Sequence, residues 1–568
     1  MKRRLGFALA ATSLFSCPSP ALPQPADADS VSLHRHARSE QSRFEWLRGR
    51  HLPWTWNRGG GRCDERIGRF CLWHDSGAEA WQPPPEPEPV GEGRERLIAV
   101  LDSVSARLPG DHWVMGQLVW YLLEAGRPED ARAATDHCRA ARAWWCTALL
   151  GLARHAAGDF AAAERAFEAA LPVLSASQRE RWTDVTPLLD RELHSEYHRS
   201  RGVARARFER RFWWLADPLY LIPGNERRSE HFSRWVINGI QQRARTPEPV
   251  SWGDDLRELL IRYGWPVGWE RVRESGPSLS TGRPGVVSHY ADGGRTFAPP
   301  AAVFREPFAT GPAEWQLDPD EARSAYAPVY TDSVLPLEHQ LARFRRGDSL
   351  LVVAAYRLEG EVSAEAELGL FLFPAGDRSP VVARARSSAP KGALTARVPL
   401  GPTLLSLEAL DAPRRYAARV RHGLAPGAEG ISDLLVLGTG ATLPGDLTAA
   451  VQSVRAPASV PAGDPIRLYW EVYGGSGDTA SVLVSVHRTD PPGLARRVGE
   501  WLGIVSPAVP DRLRWREVID GEIAPRSLSI DFPDAKPGRY RVRVEVHLPG
   551  REPVSAAREV TIAPAGGG

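Results

Sequence analysis

Lysine is almost missing from this chain. It occurs only at Lys2, Lys391 and Lys536, so nearly all of the 71 basic residues are arginine. Such a bias suits carboxylate or sugar recognition. Alanine, glycine and proline are abundant too, however, and codon usage in a GC-rich genome is the simpler source of all four. Charge of one sign is also lacking. The 69 acidic residues leave a net charge of +2, without the concentrated positive field that nucleic-acid phosphates require. No nucleic-acid partner is expected. Long apolar runs are confined to residues 5–15, behind Lys2, Arg3 and Arg4. That run is shorter than the roughly 20 helical residues of a bilayer span, and its charge pattern is that of an export signal. There is no phosphate-cradling glycine loop, no dinucleotide fingerprint and no Gly-x-Ser-x-Gly elbow. Gly474, Gly475 and Gly477, followed by Asp478, read as a hairpin turn. No cofactor is expected.

Cysteine is sparse, and its placement agrees with export. Residues 1–22 form the expected signal peptide. Ser19 and Ala21 fit a small-x-small cleavage site, while Leu14-Phe15-Ser16-Cys17 resembles a lipoprotein box, in which Cys17 would carry a lipid and tether a soluble chain. The other four cysteines form two close pairs, Cys63 with Cys71 and Cys138 with Cys146. Three connectivities are open, and two local disulfides in an oxidising compartment are the simplest. Zinc is the weaker alternative, because neither pair has a two-residue spacing and no histidine stands at ligand spacing beside them. The expected location is extracytoplasmic: periplasm, cell envelope or medium.

At 568 residues the chain exceeds one core, and about 150 residues per domain suggests three or four. The expected fold is multi-domain α+β. Residues 27–92 are rich in arginine, proline, glycine and tryptophan without a sustained period. They read as an irregular, disulfide-clipped segment docked by Trp46, Trp54, Trp56, Trp73 and Trp81, ending in a polyproline linker at 83–89. Residues 93–200 are helical and repetitive. Leu149, Leu150, Gly151, Gly158, Ala163, Phe167 and Ala170 match the spacing of a tetratricopeptide-repeat helix pair, and Leu118, Gly126 and Ala131 echo it one repeat earlier. Such TPR-like repeats commonly hold another protein, though two or three hairpins can equally support the next domain. A Cys138–Cys146 bond would staple the turn joining two repeats. His194 and His198 share a helical face at i,i+4, a spacing able to hold a metal, but Glu196 points elsewhere; a solvated face is the expectation, and no metal site is assigned.

Residues 201–275 carry the most informative order: Phe212-Trp213, Asp217-Pro218, Pro223-x-Asn225-Glu226, a helix capped by Asn225, Trp252-x-x-Asp255 and Tyr263-Gly264-x-Pro266. Glu226, Glu230 and Arg234 recur at i, i+4 and i+8 on that helix, a spacing for a salt-bridged face. This order resembles the GWxTD domain, and the chain is identified as a divergent member, with Ser251 in place of the name-giving glycine and Asp254 in place of the threonine. The matching positions are Trp213, Asp217, Pro218, Pro223, Asn225, Glu226, Arg234, Trp252, Asp255, Tyr263, Gly264 and Pro266. The resemblance implies an exported bacterial protein with helical repeats and following β-rich domains, and implies no reaction.

Residues 276–340 read as extended loops. Two all-β, immunoglobulin-like sandwiches are expected over 341–444 and 445–564, with strands at 349–356, 364–373, 404–410, 449–454, 465–472, 480–487 and 540–546 among others. The leading functional reading is an exported, non-enzymatic binding or assembly protein with protein partners at the helical repeats and a membrane link only through a lipid on Cys17. A hydrolase of glycans or peptides is the alternative, with Asp217, Glu226 and Asp255 as weak catalytic candidates if they converge in a cleft. A carbohydrate-binding protein is the third, requiring Trp470 or Trp515 exposed on a sandwich face.

Overall fold

The computed structural model describes residues 28–56, 65–72, 82–140, 142–248, 250–273, 285–291, 294–317, 323–376, 379–427, 429–440, 442–490, 511–532 and 535–564. The export segment with Cys17, the Cys63–Cys71 pairing, Trp73 and Trp81 lie outside them. The architecture is multi-domain α+β: a helical N-terminal region followed by a β-sheet-rich C-terminal region. No helix of the described residues is long and apolar enough to cross a membrane.

The first helix, α1 (Ala28–His51), occupies a stretch expected to be irregular. Its buried positions, Ala37, Gln41, Phe44, Glu45 and Arg48, keep helical spacing. Most of them are polar, so a hydrophobic period is not visible. The Gln41 amide meets Tyr121 and the Arg245 carbonyl, and Arg48 forms a two-pronged pair with Glu124. Helices α2 (Glu88–Arg107), α3 (His112–Glu124), α4 (Pro128–Asp136), α5 (Ala143–Ala156) and α6 (Phe160–Ala170) follow, each packed on the next. Gly126 and Gly158, at φ +70° and +80°, sit just past the ends of α3 and α5, where a left-handed residue stops the helix. Gly151 is required for a different reason: a Cβ there would stand 2.6 Å from the Phe167 ring, so α5 and α6 approach only over glycine. Cys138 and Cys146 are bonded across the α4–α5 turn.

Helices α7 (Ala176–Thr183), α8 (Arg191–Arg199) and α9 (Gly202–Ala216) lead to α10 (Glu226–Gln241), which is buried on almost every side. It packs against α3, α5 and α6 and so fills the inner surface of the helical array with a segment of the same chain. Helix α11 (Asp254–Tyr263) closes the region. Small strands β1 (Trp54–Trp56), β4 (Gly268–Arg273) and β5 (Val286–His289) form one sheet, and β2 (Glu65–Ile67) pairs with β3 (Phe70–Leu72).

The first β body has strands β6 (Val334–Pro336), β7 (Glu338–Arg346), β8 (Ser349–Arg357), β9 (Glu367–Pro374), β10 (Val381–Arg386), β11 (Lys391–Pro399), β12 (Thr403–Asp411) and β13 (Tyr416–Leu424). Sheets ordered β10-β9-β12-β13-β6 and β11-β8-β7 share one core that includes Val352, Leu370, Leu405, Leu407 and Val420. The second body has β14 (Leu435–Leu437), β15 (Ser459–Pro461), β16 (Ile466–Tyr473), β17 (Thr479–Arg488), β18 (Asp511–Val518), β19 (Ile523–Ile530), β20 (Gly538–His547) and β21 (Val554–Ala563). Its sheets run β14-β16-β19 and β15-β21-β20-β17-β18. Period-2 alternation builds this core: Ala480, Val482, Val484 and Val486 of β17 point inward beside Val542, Val544 and Val546 of β20. The strand expected at 449–454 is instead a short helix, Leu447–Gln452. The Asp446 side chain caps it by accepting the Ala449 N–H, and Leu447 and Ala450, three residues apart, bury together between the two β bodies.

Strands β12 and β13 are buried on both faces, and this joins the helical and β regions. Leu405, Leu407, Ala418 and Val420 face the sheet-to-sheet core, while the alternate residues Ser406, Glu408, Arg419 and Arg421 turn toward the end of α9. Arg421 and Glu408 pair at 3.1 Å with both side chains fully buried. Arg421 Nη1 also donates to the Leu215 and Asp217 carbonyls, and Arg419 Nη1 to those of Asp217 and Pro218. These are carbonyls that a helix end leaves without partners. Arg421→Met is expected to cost about 3–5 kcal/mol in the first urea transition, because it strands a buried carboxylate; Arg421→Met with Glu408→Leu should lose less than either change alone. Single variants that unfold at the wild-type urea concentration would remove this joint from the sources of stability.

Candidate functional site

The segment between α9 and α10 brings two of the three carboxylate candidates together. Asp217 follows the last residue of α9 and Glu226 opens α10, with Asn225 between them as the cap. Asn225 Oδ1 accepts the Arg228 N–H at 2.9 Å, and its amide donates to the Trp213 carbonyl at 2.5 Å. This fixes the loop against α9. Glu226 is fully buried and accepts the hydroxyl protons of Tyr326, at 3.0 Å, and Tyr330. Burial pushes its carboxyl up to about 8 against the opposing pull of those hydroxyls. Asp217 is raised well above the ordinary range, first by burial and then by the nearby Glu226, and its Oδ1 has no hydrogen-bond partner among the described residues.

Asp255 does not join them. It is the second residue of α11, where Arg69 clamps it with Nε–Oδ2 at 2.6 Å and Nη2–Oδ1 at 2.8 Å. That charge-assisted pair holds its carboxyl down to about 2. The three carboxylates therefore form no common cleft.

One turn along α10 the chemistry reverses. Glu230 receives Arg234 Nε at 2.7 Å and faces His155 Nε2 at 2.7 Å, and Arg234 with His155 keeps it well below the usual carboxylate range despite its burial. Arg234 also reaches the Ile261 and Ala325 carbonyls, tying α10 to the end of α11. Gly264, at φ +87°, leaves room for that guanidinium: a Cβ would lie 3.1 Å from Nη2. Tyr263 donates to Glu65 at 2.8 Å, and the Trp252 indole to Asn238 Oδ1 at 3.0 Å. Trp213 is buried, with its ring 5.2 Å from His231. Burial drives the His231 imidazole down to about 3, so it is neutral and donates Nε2–H to the Trp182 carbonyl at 2.9 Å. Arg227, lowered to about 9 by burial and then by Arg234, has both terminal nitrogens unpaired among the described residues.

Elsewhere, the His194 and His198 Nε2 atoms approach to 3.3 Å on an exposed face, and no cluster of three or more metal-ligating side chains occurs among the described residues. Trp470 is 1% exposed inside the second β core, which denies it the sugar-facing position expected of it, and Trp515 packs half-buried against the same core. The sequence missed Arg419, Arg421, Glu408, Tyr326 and Tyr330. Each lies far along the chain from the segment it holds, and no local pattern marks it.

No model of a known protein family matches the chain, and no curated protein matches it. Among solved structures, red sea bream transglutaminase is matched at 12% identity over 41% of this chain and 32% of that one, with a TM-score of 0.13. A tetra-tandem repeat from the extending region of a large adhesion protein is matched at 10% identity over 40% of this chain and 49% of that one, with a TM-score of 0.14. The chain thus spans about a third and about half of the lengths of these proteins, and neither likeness bears on its fold or role.

Folding holds a proton on Glu226, so its contribution to stability is fully present below about pH 4.5 and is lost as pH rises through about 8. Glu226→Gln removes that dependence. The variant should gain on the wild type between pH 5 and 8 by an amount on the order of a few kcal/mol, read as a widening difference in melting temperature. A difference that stays flat with pH would show Glu226 to be ionised in the folded chain.

Proposed function

We propose that the chain is an exported, non-enzymatic binding or assembly protein of the bacterial cell envelope, built from TPR-like helical repeats, a divergent GWxTD-like domain and two immunoglobulin-like sandwiches. The observation that carries this reading is the fate of the family-motif residues. Asn225, Arg234, Trp252, Asp255 and Tyr263 each bind another part of the same chain, and Asp217 and Glu226 lie buried at the helix–sheet joint. A reactive carboxyl must reach substrate, and these are turned inward. The Cys138–Cys146 bond suits an oxidising compartment. Because α10 packs against α3, α5 and α6, a protein partner is assigned to exposed positions elsewhere on the helical region, such as Val173 after α6 and Val203 on α9, both more than half exposed. Cys17 remains the proposed point of lipid attachment.

The hydrolase reading draws on one observation, the raised and coupled carboxyls of Asp217 and Glu226. Photo-crosslinking groups placed at Val173 and Val203 in living cells separate the two. Discrete adducts with envelope proteins, retained in Glu226→Gln, are expected. Hydrolysis of cell-wall glycan or peptide that disappears in a folded Glu226→Gln chain, or the lack of adducts at both positions, would overturn the assembly reading.

A further inference from the structure

Between α3, α5, α7, α10 and α11 lies a cavity of about 140 Å³. Five indoles wall it: Trp113, Trp144, Trp145, Trp182 and Trp235. Trp144 meets Trp145 and Trp182 edge to face, at interplanar angles of 84° and 89°, so the walls form a box. The sequence makes room for it with two glycines. A Cβ on Gly116 would stand 3.0 Å from the Trp145 ring, and one on Gly239 3.1 Å from it.

Four arginines, Arg142, Arg181, Arg243 and Arg257, complete the lining, and no carboxylate does. Arg257 pairs with the exposed Asp254. Arg142, Arg181 and Arg243 are exposed, and their guanidinium groups have no ion pair or hydrogen bond among the described residues. Several other polar groups of the lining are already engaged. The Trp145 and Trp113 indoles donate to the His112 and Arg243 carbonyls, Asn238 Oδ1 accepts from Trp252, and Gln178 Oε1 accepts from Ser175. The Trp235 indole N–H is buried and without a partner among the described residues.

We propose that this cavity binds a small carboxylate carrying one planar ring. Its volume is that of a cavity which takes up a single benzene-sized ring. Flat indole faces suit a ring, and unpaired guanidinium forks match a carboxylate in plane and in donor spacing. Two amide oxygens of the lining, those of Asn238 and Gln178, already accept hydrogen bonds, which leaves fewer acceptors for a sugar's hydroxyls. His112, on the same lining, is held below its ordinary value by burial, with Arg142 and Arg243 opposing the pull of Asp111, which fits a positive rim. The inference stands independently of the assembly reading, since it rests on the cavity alone.

Calorimetry and indole fluorescence on the full oxidised chain test it with phenylacetate, phenylacetamide, glucuronate and an acetylated Gly-Gly-Phe peptide. Saturable binding of phenylacetate or the peptide is expected, weakened about tenfold or more when the carboxylate becomes an amide. Arg181→Gln with Arg243→Gln should weaken binding to a similar degree at an unchanged melting temperature, while Arg96→Gln on an exposed helix face leaves it alone. Tighter phenylacetate assigns a free acid, and a tighter peptide assigns a chain terminus. No saturation by either near 10 mM, a concentration of about −3 kcal/mol binding, would overturn the proposal. So would equal affinity for the amide, tighter glucuronate, or undiminished binding by the double variant.

Discussion

Two buried arginines, Arg419 and Arg421, find their oxygens at a helix end, and that pairing organises the middle of this molecule. Arg419 and Arg421 leave the outer face of β13 into a space closed by α9, the loop to α10 and the segment around Trp315. Water is excluded there, so an unpaired guanidinium would be expensive. The end of α9 supplies carbonyls with no helical partner, and β12 supplies Glu408. Each side thus meets a need of the other. Tyr220 lies 4.0 Å from the Arg421 guanidinium and adds an aromatic face to the same cation. The order of the surrounding parts follows: β12 and β13 are buried on both faces, and the loop from 217 to 225 is held to the sheet, with the Leu221 N–H donating to Glu408.

Helix α10 extends the same logic into the helical region. A helix buried on nearly every side is ordinarily apolar all round. This one carries Glu226, Arg227, Glu230, His231 and Arg234. Burial pushes both glutamates toward the protonated form, and their neighbours decide whether it prevails. Glu230 has a guanidinium and an imidazole, which overcome burial and hold it ionised; Glu226, four residues earlier, has two phenol hydroxyls that oppose burial without overcoming it, and is held protonated. Two glutamates on one helix therefore pull stability in opposite directions with pH, and their joint contribution is largest between the two transitions.

What was legible in the sequence is what local chemistry decides. Asn225 as a cap, Gly151 beneath Phe167, the Cys138–Cys146 bond and the alternating strands of the last body each need only a few neighbouring residues. What was not legible depends on distant partners. The buried face of α1 is polar because Tyr121, Glu124 and the Arg245 carbonyl meet it, so no apolar period announces a helix. The apolar run at 449–454 resembles a strand until Asp446 is seen to cap it. Asp255 reads as a potential acid until Arg69, a residue nearly two hundred positions earlier, is found on it.

The difference between charges that are engaged and charges that are not separates joint from site. Asp217 and Glu226 have the raised proton affinity often taken as a mark of catalysis, yet burial causes it in both. A general acid must exchange its proton with substrate and recover it from solvent, and a carboxyl sealed beneath Tyr326 and Tyr330 does neither. The tryptophan box has the opposite character. The Trp113 and Trp145 indoles are fixed by hydrogen bonds to backbone carbonyls and two glycines admit the Trp145 ring, while three exposed arginines at the rim are left without a partner in the described chain. The three arginines are exposed at the rim, where water solvates them without a protein partner, and their charge is free to meet an anion that enters the space. An arrangement that preserves both the space and the charge is complementary to a ligand rather than to the rest of the protein.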